Sequence, residues 1–430
     1  MRFALLNPNW NFDGSIYFGC REPHLPLEFG YAADLLQESG HEALLVDGQL
    51  ENLSNAEILD RLKSWAPDFL VLTTAPSYLF WRCAPPELRV PQQILADLRS
   101  LDCAKVIVGP HGSTSPQTTL RKLRADIVVL GEFEEILPKL TGSWTNVSSI
   151  CYWAGNTPWT QGAPHASDMT RLKALHWPAD YVQRHLHHHH RFDASPLGPG
   201  AEVEASRGCP YHCTFCAKEN FRTNYRRRPV ATVLEEIDGL LAVGVEYIYF
   251  IDEIFLPNKE LLEGLLGRSL KYGVQTRIDL WQQPMIDLLA ASGCVSIEAG
   301  VESISESGRE ALDKKCRLST QELADRLIYA KARIPFVQAN LIQVEDDDPA
   351  AVEAWRTQVR SHGVWANEPV PLFPYPGSPD YTARWGSPDE LAWERAHAYY
   401  LEQFEKFSDV QNDHPASLPE LEHEYADPGQ

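Results

Sequence analysis

Short apolar runs alternate with amphipathic segments over the first third of the 430-residue chain. The runs contain mostly apolar residues without regular polar positions, which is typical of strands buried on both faces. Between them, apolar residues recur at helical spacing, and Gly40 follows the first such segment, as expected just past a helix. Strands are predicted at 3–6, 43–46, 69–73, 106–108 and 127–130, and helices at 27–38, 55–65, 91–101 and 116–124.

This alternation predicts an α/β fold with a doubly wound, Rossmann-like domain over residues 1–142. Sheets of this kind bind ligands at the carboxyl ends of their parallel strands. The loops that follow the predicted strands there are 7–10, 74–82, 109–113 and 131–134. Their glycines and small hydroxyl side chains allow a ligand to approach the backbone closely.

The second half of the chain alternates six predicted strands with five predicted helices. Strands are predicted at 202–205, 247–251, 275–280, 295–298, 336–342 and 369–373, and helices at 230–242, 261–272, 285–291, 320–332 and 350–361. This alternation predicts a partial, TIM-type (β/α)6 barrel over residues 199–376. Active sites of these barrels lie at the carboxyl ends of the strands.

Two segments lack this rhythm. Residues 143–198 are rich in Trp, Pro and Gly and are predicted to be a linker. The histidine run of this linker, His185 and 187–190, is interpreted as a polar helix end or loop, with metal binding as the alternative. Residues 377–430 are predicted to form a short tail, helical over 389–407 and then acidic and proline-containing.

Composition narrows the class of protein. Apolar residues make up 44% and charged residues 23% of the chain, as in soluble globular proteins. No apolar run is long enough to span a bilayer, and the apolar start is too short for a secretory signal. Nine cysteines without paired spacing favour a reducing cytoplasm.

The net charge of the chain indicates which kinds of partner it can bind. The net charge of −21 argues against general affinity for nucleic acid. The run Arg226, Arg227 and Arg228 is interpreted as a solvated charge cluster, with contact to a phosphate or another anion as the alternative. No membrane or nucleic-acid partner is therefore expected.

Three cysteines carry the most specific chemistry. Cys209, Cys213 and Cys216 have the spacing Cys-x3-Cys-x2-Cys, with Phe215 just before the third. Three thiolates can bind three irons of a [4Fe–4S] cluster and leave the fourth iron open to another ligand. A structural zinc site would require four N or S ligands, and His212 lies between two of the cysteines, where it is a poor fourth ligand.

This motif, followed by the strand–helix repeat, resembles the radical S-adenosylmethionine (SAM) superfamily over about residues 200–376. The resemblance implies that SAM binds the open iron and that an electron from the cluster cleaves SAM to a 5′-deoxyadenosyl radical. An electron donor such as flavodoxin or ferredoxin would then be a partner. The resemblance also implies SAM contacts, which are assigned to Phe215, Asp252, Glu253, Arg277, Glu298, Glu302, Gln338 and Asn340.

Each of these contacts has an expected role in the family. The backbone of Phe215 would seat the adenine, and Asp252 and Glu253 would receive the SAM amino group. Arg277 could pair with the SAM carboxylate through its planar fork. Glu298 or Glu302 would hold the ribose hydroxyls. Gln338 or Asn340 would face the adenosine. Barrel or surface ion pairs remain the alternative for each of these side chains.

The N-terminal domain resembles the cobalamin-binding domain that precedes many radical SAM barrels. The resemblance implies cobalamin contacts at Ser77, Tyr78, Trp81, Arg82, Gly109, His111, Gly112, Ser113, Gly131 and Glu132. Many cobalamin domains carry Asp-x-His-x-x-Gly after the first strand, but residues 7–14 here contain no histidine. We therefore expect no axial histidine from this loop, and a residue of 77–82 is the alternative group facing the cobalt. His111 is expected to be a hydrogen-bonding group, and a domain that has lost its cofactor remains the alternative.

Together the two resemblances imply a cobalamin-dependent radical SAM C-methyltransferase. Such an enzyme abstracts a hydrogen atom from an unactivated carbon of a small metabolite and transfers a methyl group from methylcobalamin. The alternatives are a cyclase, rearrangement or oxidation enzyme with the same cofactors, and a cobalamin-binding protein without catalysis. Nucleic-acid modification is a further alternative.

Overall fold

The computed structural model describes residues 1–17, 22–77, 83–185, 199–220, 222, 224–404 and 415–422. The chain forms two compact units. The first unit contains Met1–Lys173, Ala217–Arg222 and Phe373–Gln430, and the second contains Ala174–Cys216 and Thr223–Leu372. The C-terminal tail thus belongs to the same unit as the N-terminal domain.

A seven-stranded sheet forms the centre of the first unit. Its strands are β1 Arg2–Asn7, β2 Glu42–Asp47, β3 Phe69–Thr73, β4 Ala104–Val108, β5 Ile127–Val129, β6 Ile150–Ala154 and β7 Thr157–Gln161. They lie in the order β2-β1-β3-β4-β5-β6-β7, parallel from β2 to β5 and antiparallel at β6 and β7. Alternate residues of one strand pack into different cores. Phe3 and Leu5 belong to one core, whereas Ala4 and Leu6 belong to the other. Burial on both faces explains the continuous apolar runs and confirms the doubly wound domain.

The helices of the first unit follow the predicted pattern in its N-terminal part. Their bounds are Leu27–Glu38, Asn55–Trp65, Arg89–Asp97, Pro110–Thr114 and Pro116–Lys122, with the tail helices Pro379–Trp385, Ala392–Phe404 and Leu418–Leu421. Short 3₁₀ turns lie at Leu137–Lys139 and Trp144–Asn146. The tail helices form their own apolar cluster, which includes Tyr381, Trp393 and Leu418.

The linker prediction is wrong over residues 150–161, because β6 and β7 lie there. Their sequences hide the pattern, since each strand is five residues long and β7 contains Pro158. Proline is tolerated in β7 because it is the edge strand of the sheet. Within the histidine run, His185 is buried rather than exposed, and its ring contacts the carbonyl of Tyr181. Residues 187–190 lie outside the described residues.

Six parallel strands form the second unit. They are β8 Gly200–Val203, β11 Tyr247–Phe250, β12 Lys271–Thr276, β13 Cys294–Glu302, β14 Phe336–Leu341 and β15 Trp365–Ala366, and they lie side by side in chain order. A two-stranded ribbon, β9 Ser206–Arg207 and β10 Arg226–Arg227, follows β8 in the chain. The partial (β/α)6 barrel is therefore confirmed.

The helices of the second unit alternate with these strands. Their bounds are Ala179–Val182, Val230–Ala242, Lys259–Leu265, Gln283–Ala291, Glu306–Ala311, Thr320–Lys331 and Pro349–Ser361, with a 3₁₀ turn at Ile278–Leu280. A helix able to cross a bilayer, which needs about 20 apolar residues, is not found among the described residues.

Two barrel strands differ from prediction. The third strand is β12 at 271–276 instead of 275–280, because the preceding helix ends at Leu265 and Gly267 turns the chain with φ +80°. The sixth strand is β15 at 365–366 instead of 369–373. Pro369 and Pro371 lack the N–H that a strand needs, and Val370 makes only an isolated bridge to Ile342.

Candidate cluster and cofactor site

The three cysteines lie on a loop that follows β8 and the short strand β9. Cys209, Cys213 and Cys216 are all half-buried, and none forms a disulfide. The amide of Cys216 donates to the carbonyl of Cys213 at 3.1 Å, which closes a turn between the last two thiols. Among the described residues, no three His, Cys, Asp or Glu side chains converge on one ion position. Cluster thiolates bind different irons, so they need not converge.

Two acidic residues hold the backbone that enters the cysteine loop. Asp252 is buried and accepts hydrogen bonds from the Ala205 amide, at 2.8 Å, and from the Ser206 hydroxyl. Glu253 accepts a bond of 2.8 Å from the amide of Gly208, whose φ of +79° is a conformation that glycine adopts readily. Both carboxylates therefore shape the approach to Cys209. Their role toward the SAM amino group stays a prediction.

Burial has a large effect on the acidity of Asp252. Desolvation, together with the nearby carboxylates of Glu204 and Glu253, raises its pKa to about 7, although the two hydrogen bonds oppose the shift. Asp252 is therefore a carboxyl group that titrates near neutrality directly behind the cysteine loop.

Arg277 directly follows β12 and is buried, with 5% of its surface exposed. Its Nε and Nη2 donate to the two carboxylate oxygens of Asp279 at 3.1 and 2.8 Å. Its Cζ lies 4.1 Å from the ring centre of Tyr211, a residue of the cysteine loop. Asp279 binds the Nε and Nη2 edge of the fork, so pairing of Arg277 with the SAM carboxylate would use Nη1 and stays a prediction. Nη1 has no hydrogen-bond partner among the described residues.

The end of β13 carries a second ion pair. Glu302 pairs with Lys314, whose ammonium is buried and also donates to the carbonyl of Gly300 at 2.9 Å. Glu302 has a φ of +62°, and the register between β13 and β14 shifts at this point. Lys314 thus holds the carboxylate of Glu302, and the binding of ribose hydroxyls by Glu298 or Glu302 stays a prediction.

Polar side chains form one row across four neighbouring barrel strands. Gln275, Glu298, Gln338 and Trp365 are direct register partners, from β12 through β15. Each is half-buried, whereas the next residue along each strand is fully buried. Because successive side chains of a strand point to opposite faces, the row lies on the less covered face of the sheet. The amide of Gln338 donates to Asn340, two residues further on the same face.

The structure thus brings together Glu298, Gln338 and Asn340 among the predicted SAM contacts. Gln275 belongs to the same row and was missed, because cross-strand register cannot be read from a single sequence. Phe215 is half-buried on the cysteine loop. Its neighbour Thr214 donates a backbone hydrogen bond to the carbonyl of Leu312 at 3.1 Å, which fixes this side of the loop.

A cavity of about 740 Å³ adjoins the cysteine loop within the second unit. Its lining includes Tyr211 of the loop, Asp279, the buried Arg309 and Cys316. Cys316 has no spacing relationship to the other three cysteines, so sequence reasoning did not single it out. Burial, followed by the charge of Asp279, raises the pKa of its thiol.

The basic run after the cysteine loop is only partly solvated. Arg227 is exposed, but Arg228 is buried and donates to the carbonyl of Glu204 at 2.8 Å and to the carboxylate of Glu236 at 2.7 Å. The interpretation as a solvated cluster is therefore wrong for Arg228, which is a structural ion-pair residue.

In the first unit, the predicted cobalamin loops after β4 and β5 are joined by a serine. The hydroxyl of Ser113 donates to the carbonyl of Gly109 at 3.0 Å and accepts from the amide of Gly131 at 2.8 Å. His111 is buried, with its ring stacked 4.2 Å from that of Trp393 in the tail. Burial lowers the pKa of His111 to about 3, so this histidine is neutral at physiological pH.

The glycines of these loops serve the packing of the protein itself. A Cβ at Gly112 would lie 2.4 Å from Cγ1 of Val128, and a Cβ at Gly131 would lie 2.3 Å from the carbonyl oxygen of His165. Gly131 also has a φ of +77°. Each glycine therefore closely approaches protein atoms, and contact of these loops with a ligand stays a prediction.

Two further predicted cobalamin contacts have partners within the first unit. Glu132 is fully buried, accepts from the amide of Ser167 at 2.8 Å and pairs with Nε of Arg222 at 2.9 Å. Ser77 donates to the carboxylate of Glu28. These contacts place Glu132 in an internal ion pair rather than on an open ligand surface. Tyr78, Trp81 and Arg82 lie outside the described residues.

Polar groups remain at the ligand-binding edge of the first sheet. The strand order reverses between β1 and β3, which is where sheets of this order bind ligands. Within the described residues, the buried hydroxyl of Thr74, after β3, and Nδ1 of His111, after β4, have no hydrogen-bond partner. Buried polar atoms without partners at this edge fit a bound polar ligand such as a corrin side chain.

Comparison with known proteins identifies the barrel. Residues 203–352 match the model of the Radical SAM superfamily. The hopanoid C-3 methylase of Methylococcus capsulatus is 27% identical over 368 residues, which are 82% of this chain and 67% of that protein. The anaerobic magnesium-protoporphyrin IX monomethyl ester cyclase of Cereibacter sphaeroides is 22% identical over 356 residues, which are 76% of this chain and 55% of that protein.

A solved structure has a similar fold over most of the chain. The radical SAM methyltransferase TsrM of Kitasatospora setae, solved with cobalamin and a [4Fe–4S] cluster bound, superposes with a TM-score of 0.71 at 16% identity. The match covers 88% of this chain and 76% of TsrM. Residues 203–352 are therefore similar to the Radical SAM superfamily, and the chain shares the fold of TsrM.

Proposed function

We propose that the protein is a cobalamin-dependent radical SAM methyltransferase that methylates an unactivated carbon of a small molecule. The observation that carries the proposal is the loop of three half-buried cysteines after the first barrel strand, in one chain with a doubly wound domain. The names of two similar proteins, a hopanoid methylase and a radical SAM methyltransferase, support the same activity.

In this proposal Cys209, Cys213 and Cys216 hold a [4Fe–4S] cluster, which supplies the electron for SAM cleavage. Asp252 and Glu253 fix the backbone before Cys209, so that the three thiolates keep their spacing. Half-exposure of the thiols and the unpaired Nη1 of Arg277 support the fit, since a buried donor beside a thiolate cluster would gain a partner there.

SAM is proposed to extend along the row that contains Glu298 and Gln338. Carboxylate and amide groups in one row can bind ribose hydroxyls and adenine edges through hydrogen bonds. Gln275 is added to this set because it is the register partner of Glu298. Asn340 continues the row toward the carboxyl end of β14, and Phe215 keeps its predicted backbone contact with the adenine.

The first unit is proposed to bind cobalamin, whose methyl group would be transferred. Thr74 and His111 are the residues whose unpaired buried atoms could bond to it. His111 can accept at Nδ1, because its Nε2 donates to the carbonyl of Pro86 at 3.3 Å. We keep a reducing cytoplasm and a flavodoxin- or ferredoxin-type electron donor as parts of this proposal.

A second candidate keeps the cofactors and changes the outcome. The similarity to a magnesium-protoporphyrin monomethyl ester cyclase, over 76% of this chain, favours cyclisation or oxidation of the substrate radical without methyl transfer. The fate of a substrate radical depends on the pocket around it, so sequence similarity of this level supports both outcomes.

An anaerobic assay separates the two candidates. Protein reconstituted with iron, sulfide and cobalamin is incubated with a reductant, methyl-deuterated SAM and a panel of small substrates. A product that gains the deuterated methyl group together with formation of 5′-deoxyadenosine is the expected result. A product without added methyl supports the cyclase candidate, and the absence of 5′-deoxyadenosine, in the presence of an assembled cluster, contradicts both. A variant with Cys209, Cys213 and Cys216 replaced by Ala is the matched control.

A further inference from the structure

Arg277 and Asp279 form a buried ion pair next to the cysteine loop. Less than a tenth of each side chain is exposed, and two parallel hydrogen bonds join the guanidinium to the carboxylate. Such forked pairs fix both groups in one orientation. Arg277 stands at the end of the central strand β12, so its backbone is held by the barrel sheet.

The two ends of this pair face different surroundings. Asp279 lines the 740 Å³ cavity, whereas Arg277 does not. Asp279 also acts more strongly than Arg277 on the thiol of Cys316, which lines the same cavity. The charged groups that act on Arg277 include Cys213 and Glu302, in addition to Asp279. Asp279 therefore lies at the cavity, whereas the guanidinium of Arg277 lies against Tyr211 of the cysteine loop.

Tyr211 holds the guanidinium against the loop. Its ring centre lies 4.1 Å from Cζ of Arg277, a distance at which a cation is attracted to an aromatic face. Tyr211 is two residues from Cys209 and two from Cys213. The stack therefore ties Arg277 to the middle of the ligand loop.

One nitrogen of the guanidinium is left for another acceptor. Nε and Nη2 bind Asp279, and Nη1 is buried without a hydrogen-bond partner among the described residues. A buried donor without a partner is unfavourable, and thiolates and cluster sulfides accept such bonds. Hydrogen bonds and charge around the sulfurs of an iron–sulfur cluster set its reduction potential.

We propose that Arg277 is a positioning residue that raises the reduction potential of the cluster, by presenting the positive end of the Arg277–Asp279 pair to the cysteine loop at Tyr211. The inference rests on the proposed cluster. Reduction adds one electron, supplied by the external donor, and the largely buried positive charge of Arg277 stabilises the more negative state. The carboxylate of Asp279 partly compensates this effect and limits it.

The test is a redox titration of the anaerobically reconstituted full-length protein without SAM, followed by the electron paramagnetic resonance signal of the reduced cluster. Arg277→Gln is expected to shift the midpoint potential to more negative values. Asp279→Asn is expected to shift it to more positive values, because the guanidinium is then uncompensated. Opposite shifts from the two variants would not follow from general loosening of the loop.

The chain offers a matched control pair. Arg333 pairs with Asp287 and lies over the ring of Tyr329 at 3.4 Å, but both charged side chains of this set are exposed. Arg333→Gln is expected to leave the potential unchanged, since solvent screens exposed charges.

The outcomes are distinct. If Arg277→Gln keeps the potential of the wild type, the inference is overturned, and weaker SAM binding in that variant would then assign Arg277 to SAM alone. If Arg277→Gln does not assemble a cluster, the Asp279→Asn variant tests the inference. The absence of a positive shift in its midpoint potential then overturns the inference. A wild type that assembles no cluster overturns the proposed function itself.

Discussion

Replacing Asp252 by Asn tests the role of the buried carboxyl behind the cysteine loop. Asp252 accepts from the amide of Ala205 and the hydroxyl of Ser206, and burial raises its pKa from 3.8 to about 7. Asn keeps an acceptor for the amide, and its NH₂ can donate to the hydroxyl of Ser206 after that hydroxyl rotates. The Asn variant therefore resembles the protonated, neutral form of Asp252.

The size of the expected change in the unfolding free energy follows from the linkage between protonation of Asp252 and folding. The folded state binds the proton of Asp252 more tightly than the unfolded state does. Protonation of Asp252 therefore stabilises the fold fully below pH 3.8, and this stabilisation is lost as the pH rises through about 7. One pKa unit corresponds to about 1.4 kcal/mol, so the full range is about 4 kcal/mol. Between pH 5 and pH 8 the wild type is expected to lose about 2 to 3 kcal/mol relative to Asp252→Asn.

Urea unfolding of the cofactor-free full-length protein at pH 5, 6, 7 and 8 measures this difference. The unfolding free energy of the wild type should fall relative to that of Asp252→Asn as the pH rises. Asp238→Asn is the control, because the hydrogen bond from Arg268 lowers the pKa of Asp238 and its titration lies below this range. Parallel pH dependences of the wild type and Asp252→Asn would refute a raised pKa at this site.

Three further predictions concern the cluster, an internal ion pair and a loop glycine. Replacing any one of the three cluster cysteines by Ala should abolish the visible absorption of the reconstituted cluster, whereas Cys316→Ser should retain it. Glu132→Gln or Arg222→Met should lower the unfolding free energy by about 3 to 5 kcal/mol, because each leaves a buried charge unpaired. A double variant whose loss of unfolding free energy equals the sum of the two single losses would contradict the pairing of Glu132 with Arg222. Gly131→Ala should lower the urea midpoint more than Gly244→Ala, since both have positive φ but only at Gly131 does a Cβ meet a backbone atom, at 2.3 Å; equal effects would count against this close contact.

The sequence predicts much of the fold because the pattern reflects burial. Strands covered on both faces require continuous apolar runs, and these place β1 to β5 and most barrel strands within a few residues. Residues 150–161 were missed because β6 and β7 are short and antiparallel at a sheet edge. The membership of the tail in the first unit depends on packing such as that of Trp393 on His111, which no local pattern indicates.

The candidate site was predictable only where covalent spacing carries the chemistry. The spacing of the three cysteines needs no knowledge of neighbours. The roles of Arg277 and Glu302 depend on their partners, Asp279 and Lys314, which occupy the groups assigned to SAM. Asp279 stands only two residues after Arg277, but their contact forms across the 3₁₀ turn at Ile278–Leu280, where the sequence pattern predicts a strand.

The central claim is that one chain holds a cluster at its three cysteines and a corrin in its N-terminal unit. The most direct measurement is the iron, sulfide and cobalt content of the protein, with its ultraviolet–visible spectrum, after purification without oxygen from cells supplied with cobalamin. We predict the bands of a [4Fe–4S] cluster together with those of a corrin, and loss of the cluster bands alone when Cys209, Cys213 and Cys216 are replaced by Ala. A cluster without bound corrin would contradict methyl transfer through cobalamin, and a wild type without a cluster would contradict the account as a whole.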